Sequence, residues 1–140
     1  MIAIVKYNAG NIQSVKNAVE RLGFSCIVTE DENELKSADK VIFPGVGEAS
    51  SAMNYLKERK LDIIIKNLKQ PVLGICLGQQ LMCNFSEEGS TQCLGIFDVN
   101  VKKFEAKEKV PHMGWNNLSE IKSQLFNGIP VDSDFYFVHS

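Results

Sequence analysis

The sequence predicts an α/β fold, an open and mostly parallel sheet flanked by helices on both faces. Three observations carry this reading. The short runs Ile2-Ala3-Ile4-Val5, Val41-Ile42-Phe43 and Val72-Leu73 are continuously apolar rather than alternating, as strands covered on both faces are. Segments with apolar residues at helical spacing lie between them, joined by short links. The first two runs end in the turn residues Asn8-Ala9-Gly10-Asn11 and Pro44-Gly45, which punctuate strands rather than extend them.

The elements come in this order. Ile2 to Val5 is a strand. Ile12, Val15, Val19 and Leu22 recur at helical spacing, and Gly23 is a natural C-terminal stop. Ser25 to Thr29 forms a second strand, Glu34 to Ala38 a short helical turn, and Lys40 to Phe43 a third strand. Glu48 to Leu68 is mostly helical, with Leu61, Ile64, Ile65 and Leu68 in one apolar stripe. After Pro71, a fourth strand from Val72 to Ile75 runs into Cys76, and Leu77, Leu81, Met82 and Phe85 supply the apolar side of the next helix. Beyond Gly89 the pattern loosens. Ile96 to Phe104 reads as a strand leading to the charged loop Glu105 to Lys109, and Asp134 to His139 as a last strand that leaves an unpaired edge. The expected sheet is therefore incomplete at the C-terminus, within a single domain over 1–140.

Composition narrows the function. The 140 residues are 44% apolar and 23% charged, as in an ordinary globular domain. The net charge is −2 with Lys and Glu interleaved, so no face is built to neutralise phosphates and no nucleic acid is expected as partner. Apolar runs such as Ile63-Ile64-Ile65 are far too short for a membrane span, and the N-terminus reads as a buried strand rather than a signal peptide. A cytoplasmic location is expected. Cysteines stand at 26, 76, 83 and 93 without a Cys-x-x-Cys pair, and neither histidine lies at ligand spacing from them. No metal or other cofactor is expected, and no disulfide in a reducing compartment. One cysteine is the candidate for chemistry; the other three read as small buried hydrophobes.

That cysteine is Cys76. Gly74-Ile75-Cys76-Leu77-Gly78 has the Gly-x-nucleophile-x-Gly spacing of a nucleophile elbow. A nucleophile on a tight strand-to-helix turn adopts a strained backbone, and side chains two residues to either side would collide. The turn also sets the sulfur at a helix N-terminus, where backbone N–H groups and the helix dipole favour a thiolate. The tetrahedral intermediate needs oxyanion donors. The Leu77 N–H, just after the nucleophile, is one by geometry, and Pro44-Gly45-Val46-Gly47 can present a second. A base is also needed, normally a histidine oriented by a third group. His112 and His139 are the two candidates, and spacing recommends neither.

Gly74-Ile75-Cys76-Leu77-Gly78-Gln79-Gln80-Leu81 resembles the nucleophile motif of class I glutamine amidotransferases, whose fold is flavodoxin-like, and Pro44 to Gly47 resembles their oxyanion loop. Within that family, Pro111-His112-Met113-Gly114-Trp115-Asn116, Tyr136-Phe137-Val138-His139-Ser140 and Tyr7-Asn8-Ala9-Gly10-Asn11 resemble the glutaminase subunits of imidazole glycerol phosphate synthases, from histidine biosynthesis. The resemblance covers the whole chain. It implies that Cys76 forms a glutamyl thioester and releases ammonia, that Gln80 hydrogen-bonds glutamine, and that Gly47 and Leu77 border the oxyanion hole. It further implies that Gly45, the Met113-Gly114 backbone and Ser140 lie near the glutamine. The implied partner is a (β/α)8-barrel cyclase that receives the ammonia. The strand-end loops carrying Asn8 and Asn11 are expected to face it, because partners of open α/β sheets gather at that edge.

Three departures stand out. Lys6-Tyr7-Asn8 replaces the family's usual Asp-Tyr-Gly, and Gln79 replaces a common Met. The catalytic His-Pro-Glu motif of the family has no counterpart in these residues, so the chain is expected to stop short of it and to be inactive alone. His112 and His139 match pocket or structural positions rather than the base. Two other readings stay open: a cysteine-elbow hydrolase or redox protein using His139, and a glutaminase-like module that binds a partner or glutamine without turnover.

Overall fold

Strands β1 (Ile2–Val5), β2 (Cys26–Thr29), β3 (Lys40–Phe43) and β4 (Val72–Gly74) pair in parallel in the order β2-β1-β3-β4. Their continuous apolar character has the expected cause. Ala3 and Val5 enter one core with Val41, Phe43, Leu35, Met53 and Leu56, while Ile4 is equally buried on the opposite side, as the two-residue period requires. Register sets Ile4 beside both Val28 and Ile42, and Phe43 beside Gly74.

This computed structural model describes residues 1–105 and 109–140, which form two units, Met1–Lys102 and Lys103–Ser140. The charged loop expected at 105–109 thus lies largely outside the described residues. In the first unit, helix α1 (Ile12–Arg21) packs on β1 and β2 and buries Val19. Gly23, at φ 82°, stops it with an N–H to the Glu20 carbonyl, while Leu22 at its end is exposed rather than part of the stripe. Helix α2 (Glu32–Ser37) starts two residues before the expected turn because the Asp31 carboxylate accepts from the Asn33 and Glu34 N–H groups, an ordinary N-cap.

Three further expected elements come out differently. The helical stretch from Glu48 divides into α3 (Ala49–Glu58) and α4 (Leu61–Lys66) at Lys60, whose φ of 58° no α-helix continues through. The stripe of Leu61, Ile64 and Ile65 is nevertheless buried as read. The helix after Cys76, α5 (Leu77–Leu81), ends before Met82. The Met82 and Cys83 N–H groups tighten its last turn, and Asn84 then bonds Val99, so Phe85 belongs to strand β5 (Phe85–Ser86) and not to a helix. Strand β5 pairs antiparallel with β6 (Thr91–Gln92) and parallel with β7 (Asn100–Val101). The strand expected over Ile96 to Phe104 shrinks to β7, because the N–H groups of Ile96 and Phe97 both turn back to the Met82 carbonyl.

The second unit is built on an antiparallel pair, β8 (His112–Asn117) and β9 (Asp134–His139). Strand β8 was not legible as a strand, and the last strand is paired with it rather than closing the parallel sheet. Among the described residues it is β4 that ends that sheet, with β3 as its partner and Leu73 and Ile75 exposed. No helix among the described residues is long and apolar enough to cross a membrane.

Candidate active site at Cys76

Cys76 stands between β4 and α5 at φ 52°, ψ −118° and is exposed. A non-glycine residue held there stores strain, which persists only where the surroundings fix it. The two glycines are explained by contacts. A Cβ on Gly78 would stand 1.8 Å from the Phe43 carbonyl oxygen of β3, and one on Gly74 would stand 2.7 Å from the Gln79 Cα across the turn. The elbow can therefore lie tight against the sheet only with glycine at both positions. The Gln80 N–H closes the first helical turn onto the Cys76 carbonyl at 3.0 Å, which sets Gln80 one turn beyond Cys76.

The loop from Pro44 to Gly47 runs beside this elbow, and the carbonyls from Phe43 to Val46 are held one by one. Ile75 N–H donates to Phe43 at 3.0 Å, the Tyr7 hydroxyl to Pro44 at 2.6 Å, Leu77 N–H to Gly45 at 3.1 Å and Gly10 N–H to Val46 at 3.4 Å. The Leu77 donor differs from the expectation. It is engaged by the Gly45 carbonyl instead of pointing at an open oxyanion position, because the buried start of the loop packs directly on α5. Gly47 is exposed at φ 130°, where other residues are strained, with open space around its Cα. Two carboxylates anchor the first turn of α3: Glu48 accepts from the Ser50 and Ser51 N–H groups, and Glu88 from Ala49 N–H at 2.9 Å.

The other thiols differ in kind. Cys83 and Cys93 are buried, and burial pushes both thiols up. Cys26 is half-buried, not buried as read, because β2 is the sheet's outer strand. Asn8 donates to the Ser51 hydroxyl at 3.1 Å, and Asn8 and Asn11 are exposed, but Ala9 between them is buried with 7% of its surface accessible. Met113, Gly114 and Ser140 belong to the second unit, as do His112 and His139, which face each other across β8 and β9 with ring centroids 5.4 Å apart. The His112 Nε2 lies 2.8 Å from the Asn116 amide nitrogen. Sequence reading missed Tyr7 and Glu88 as site residues. Tyr7 had a signal, being an aromatic with a polar tip placed where an apolar strand ends.

The family model described as glutamine amidotransferase class-I matches residues 3–140. The chain belongs to the class-I glutamine amidotransferases. Relatives of this amidotransferase include an imidazole glycerol phosphate synthase subunit HisH from Bacteroides fragilis, 61% identical over 99% of this chain and 72% of the relative. Another HisH subunit, from Haemophilus influenzae, is 48% identical over 99% of this chain and 71% of its own length. Identity at this level across nearly every residue puts the amidotransferase in the same family of subunits. A crystal structure of a glutamine amidotransferase superposes with a TM-score of 0.73 at 18% identity, covering 99% of this chain and 69% of that one. At that identity the likeness speaks for the fold.

Proposed function

We propose that this chain is the glutaminase subunit of an imidazole glycerol phosphate synthase in histidine biosynthesis, acting in the cytoplasm with Cys76 as nucleophile. The observation that carries the proposal is the strained, exposed Cys76 held against the 44–47 loop by glycines that admit no side chain. The thiolate adds to the side-chain amide carbon of glutamine, forming a C–S bond and an oxyanion. Collapse breaks the C–N bond, the nitrogen takes a proton and leaves as ammonia, and a glutamyl thioester remains. Water then releases glutamate and restores the thiol.

Gln80, one helical turn after Cys76, is suited to hydrogen-bond the bound glutamine, and Gly47, with open space where a side chain would stand, leaves room for it. The Leu77 N–H becomes an oxyanion donor only when it exchanges the Gly45 carbonyl for the substrate oxygen, so the loop must shift as glutamine is engaged. The proton for the leaving ammonia is assigned to the family's His-Pro-Glu segment, which these residues do not contain, rather than to His112 or His139. The partner is a (β/α)8-barrel cyclase that accepts the ammonia, met by the loop carrying Asn8 and Asn11. A second surface fits the same role: Met113, Trp115, Tyr136 and Val138 share one exposed face of the β8–β9 pair, Trp115 with 68% of its surface accessible. Such an apolar face on a two-stranded ribbon suits a protein partner.

The test is glutamate release by the whole gene product assembled with its cyclase. Cys76→Ala is expected to abolish it; release that survives the substitution would overturn the reading.

A further inference from the structure

The four carbonyls from Phe43 to Val46 are held by four donors. Three of these are backbone N–H groups that any residue supplies. The fourth is a side chain, the Tyr7 hydroxyl, 2.6 Å from the Pro44 oxygen. Tyr7 continues the buried alternation of Ala3 and Val5 beyond the end of β1 and packs its ring on Phe43, with centroids 5.3 Å apart. Only 5% of its surface is accessible.

The consequences for the loop are geometric. A peptide plane is rigid, so a held Pro44 carbonyl fixes the Gly45 N–H in the opposite direction. The hydroxyl also takes the room of a side chain at 45: a Cβ there would stand 2.0 Å from the Tyr7 oxygen and 3.2 Å from the Leu77 Cβ. Tyr7 thus reaches the one peptide whose carbonyl end it holds and whose next carbonyl holds Leu77, the neighbour of Cys76. Burial first, and the charge of a Cys76 thiolate second, raise the hydroxyl's pKa above its ordinary value. It therefore remains an O–H donor through the neutral range.

We propose that the Tyr7 hydroxyl is a positioning group for glutamine hydrolysis: its bond to the Pro44 carbonyl sets the plane of the Pro44–Gly45 peptide beside the elbow, and with it the direction in which the rest of the loop leaves to offer its N–H groups to the reacting carbonyl. The proposal rests on the reading of Cys76 as glutaminase nucleophile. It assigns Tyr7 no contact with glutamine. The hydroxyl acts through the loop, so its loss should weaken transition-state stabilisation and leave ground-state binding in place.

The experiment uses Tyr7→Phe in the whole gene product assembled with its cyclase. The kcat for glutamate release is expected to fall about tenfold and the KM for glutamine to move less than about twofold. The rate at which iodoacetamide alkylates Cys76, which needs no oxyanion donor, should be unchanged. An unaltered kcat, a rise in KM alone, or an equal loss of alkylation would each overturn the positioning role. Cys76→Ala runs alongside. If it keeps releasing glutamate, the nucleophile reading has failed; if it is inactive while Tyr7→Phe matches the parent, only the positioning role has. Should Tyr7→Phe not assemble, 2,3,5-trifluorotyrosine at position 7 keeps the ring and a more acidic hydroxyl. Its kcat should then fall as pH rises through ionisation of that hydroxyl while the parent's stays level, and coincident profiles would overturn the proposal.

Discussion

Cys76 is set apart from the other three cysteines by exposure and backbone rather than by residue type. Cys83 and Cys93 are buried with raised thiol pKa values, and Cys26 is half-buried against the Lys16 carbonyl. Brief treatment with dilute alkylating agent is therefore expected to label Cys76 ahead of all three, read by peptide mapping; equal labelling of the four in the folded protein would count against the elbow. Gly78 sets a sharper limit. A methyl group there would meet the Phe43 carbonyl at 1.8 Å, and that oxygen already accepts from Ile75. Backbone cannot yield as a flexible side chain does, so Gly78→Ala should cost about 3 kcal/mol in denaturant unfolding. A loss within about 0.5 kcal/mol, the range of an ordinary surface change, would contradict the packing.

At the scale of elements, the start of α3 joins the loop to the helix behind it. The Glu48 carboxylate accepts from the Ser50 hydroxyl and from the Ser51 and Ser50 N–H groups, and these bonds hold its pKa below the usual glutamate value, the Ser50 side chain most. Linkage fixes the sign. A carboxylate whose pKa is lower folded than unfolded contributes stability above its unfolded value, and that stability is lost as pH falls through the lowered folded value. Glu48→Gln should therefore flatten the acid limb of the unfolding midpoint against pH, while parallel curves for the two proteins would dismiss the cap. Asp31 does the same capping for α2, and Asp31→Ala is expected to cost about 1 kcal/mol of stability, as removal of an N-cap does.

For the molecule as a whole, the two units contribute different things. The first carries Cys76, the 44–47 loop and Gln80; the second carries both histidines and an exposed apolar face on β8 and β9. An arginine at Ala9 would probe burial rather than a partner, since Ala9 lies in the core. Asn8 is exposed, so Asn8→Arg is the substitution expected to weaken binding to the cyclase while leaving the fold intact; unchanged affinity would move the interface elsewhere. Rate divides the work in another way. Without an oriented acid–base group, no positioned donor protonates the departing nitrogen and water attacks the thioester unaided, a loss of ~10²–10⁴ in rate. Glutamate release by these 140 residues with a cyclase should fall short of that by a full-length HisH relative by about that factor, and comparable rates would make His112 or His139 the base.

Much of the first unit was legible in the sequence because its signals are local. A continuous apolar run, a helical repeat, or glycines flanking a cysteine each express a constraint within a few residues. These determined the parallel strands, α1 and the elbow, and the relatives agree on the family. Short elements were lost: β5 and β6 have two residues each and β8 reads His-Met-Gly-Trp-Asn-Asn, too little pattern to declare a strand. Bonds between distant residues were lost as well. The burial of Ala9, the Leu77 N–H turned to Gly45 and the Tyr7 hydroxyl on Pro44, 37 residues away, were decided only by the tertiary structure. The physical reason is that hydrogen-bond partners this far apart in the chain leave no period or spacing, and packing of the whole sheet chooses between them.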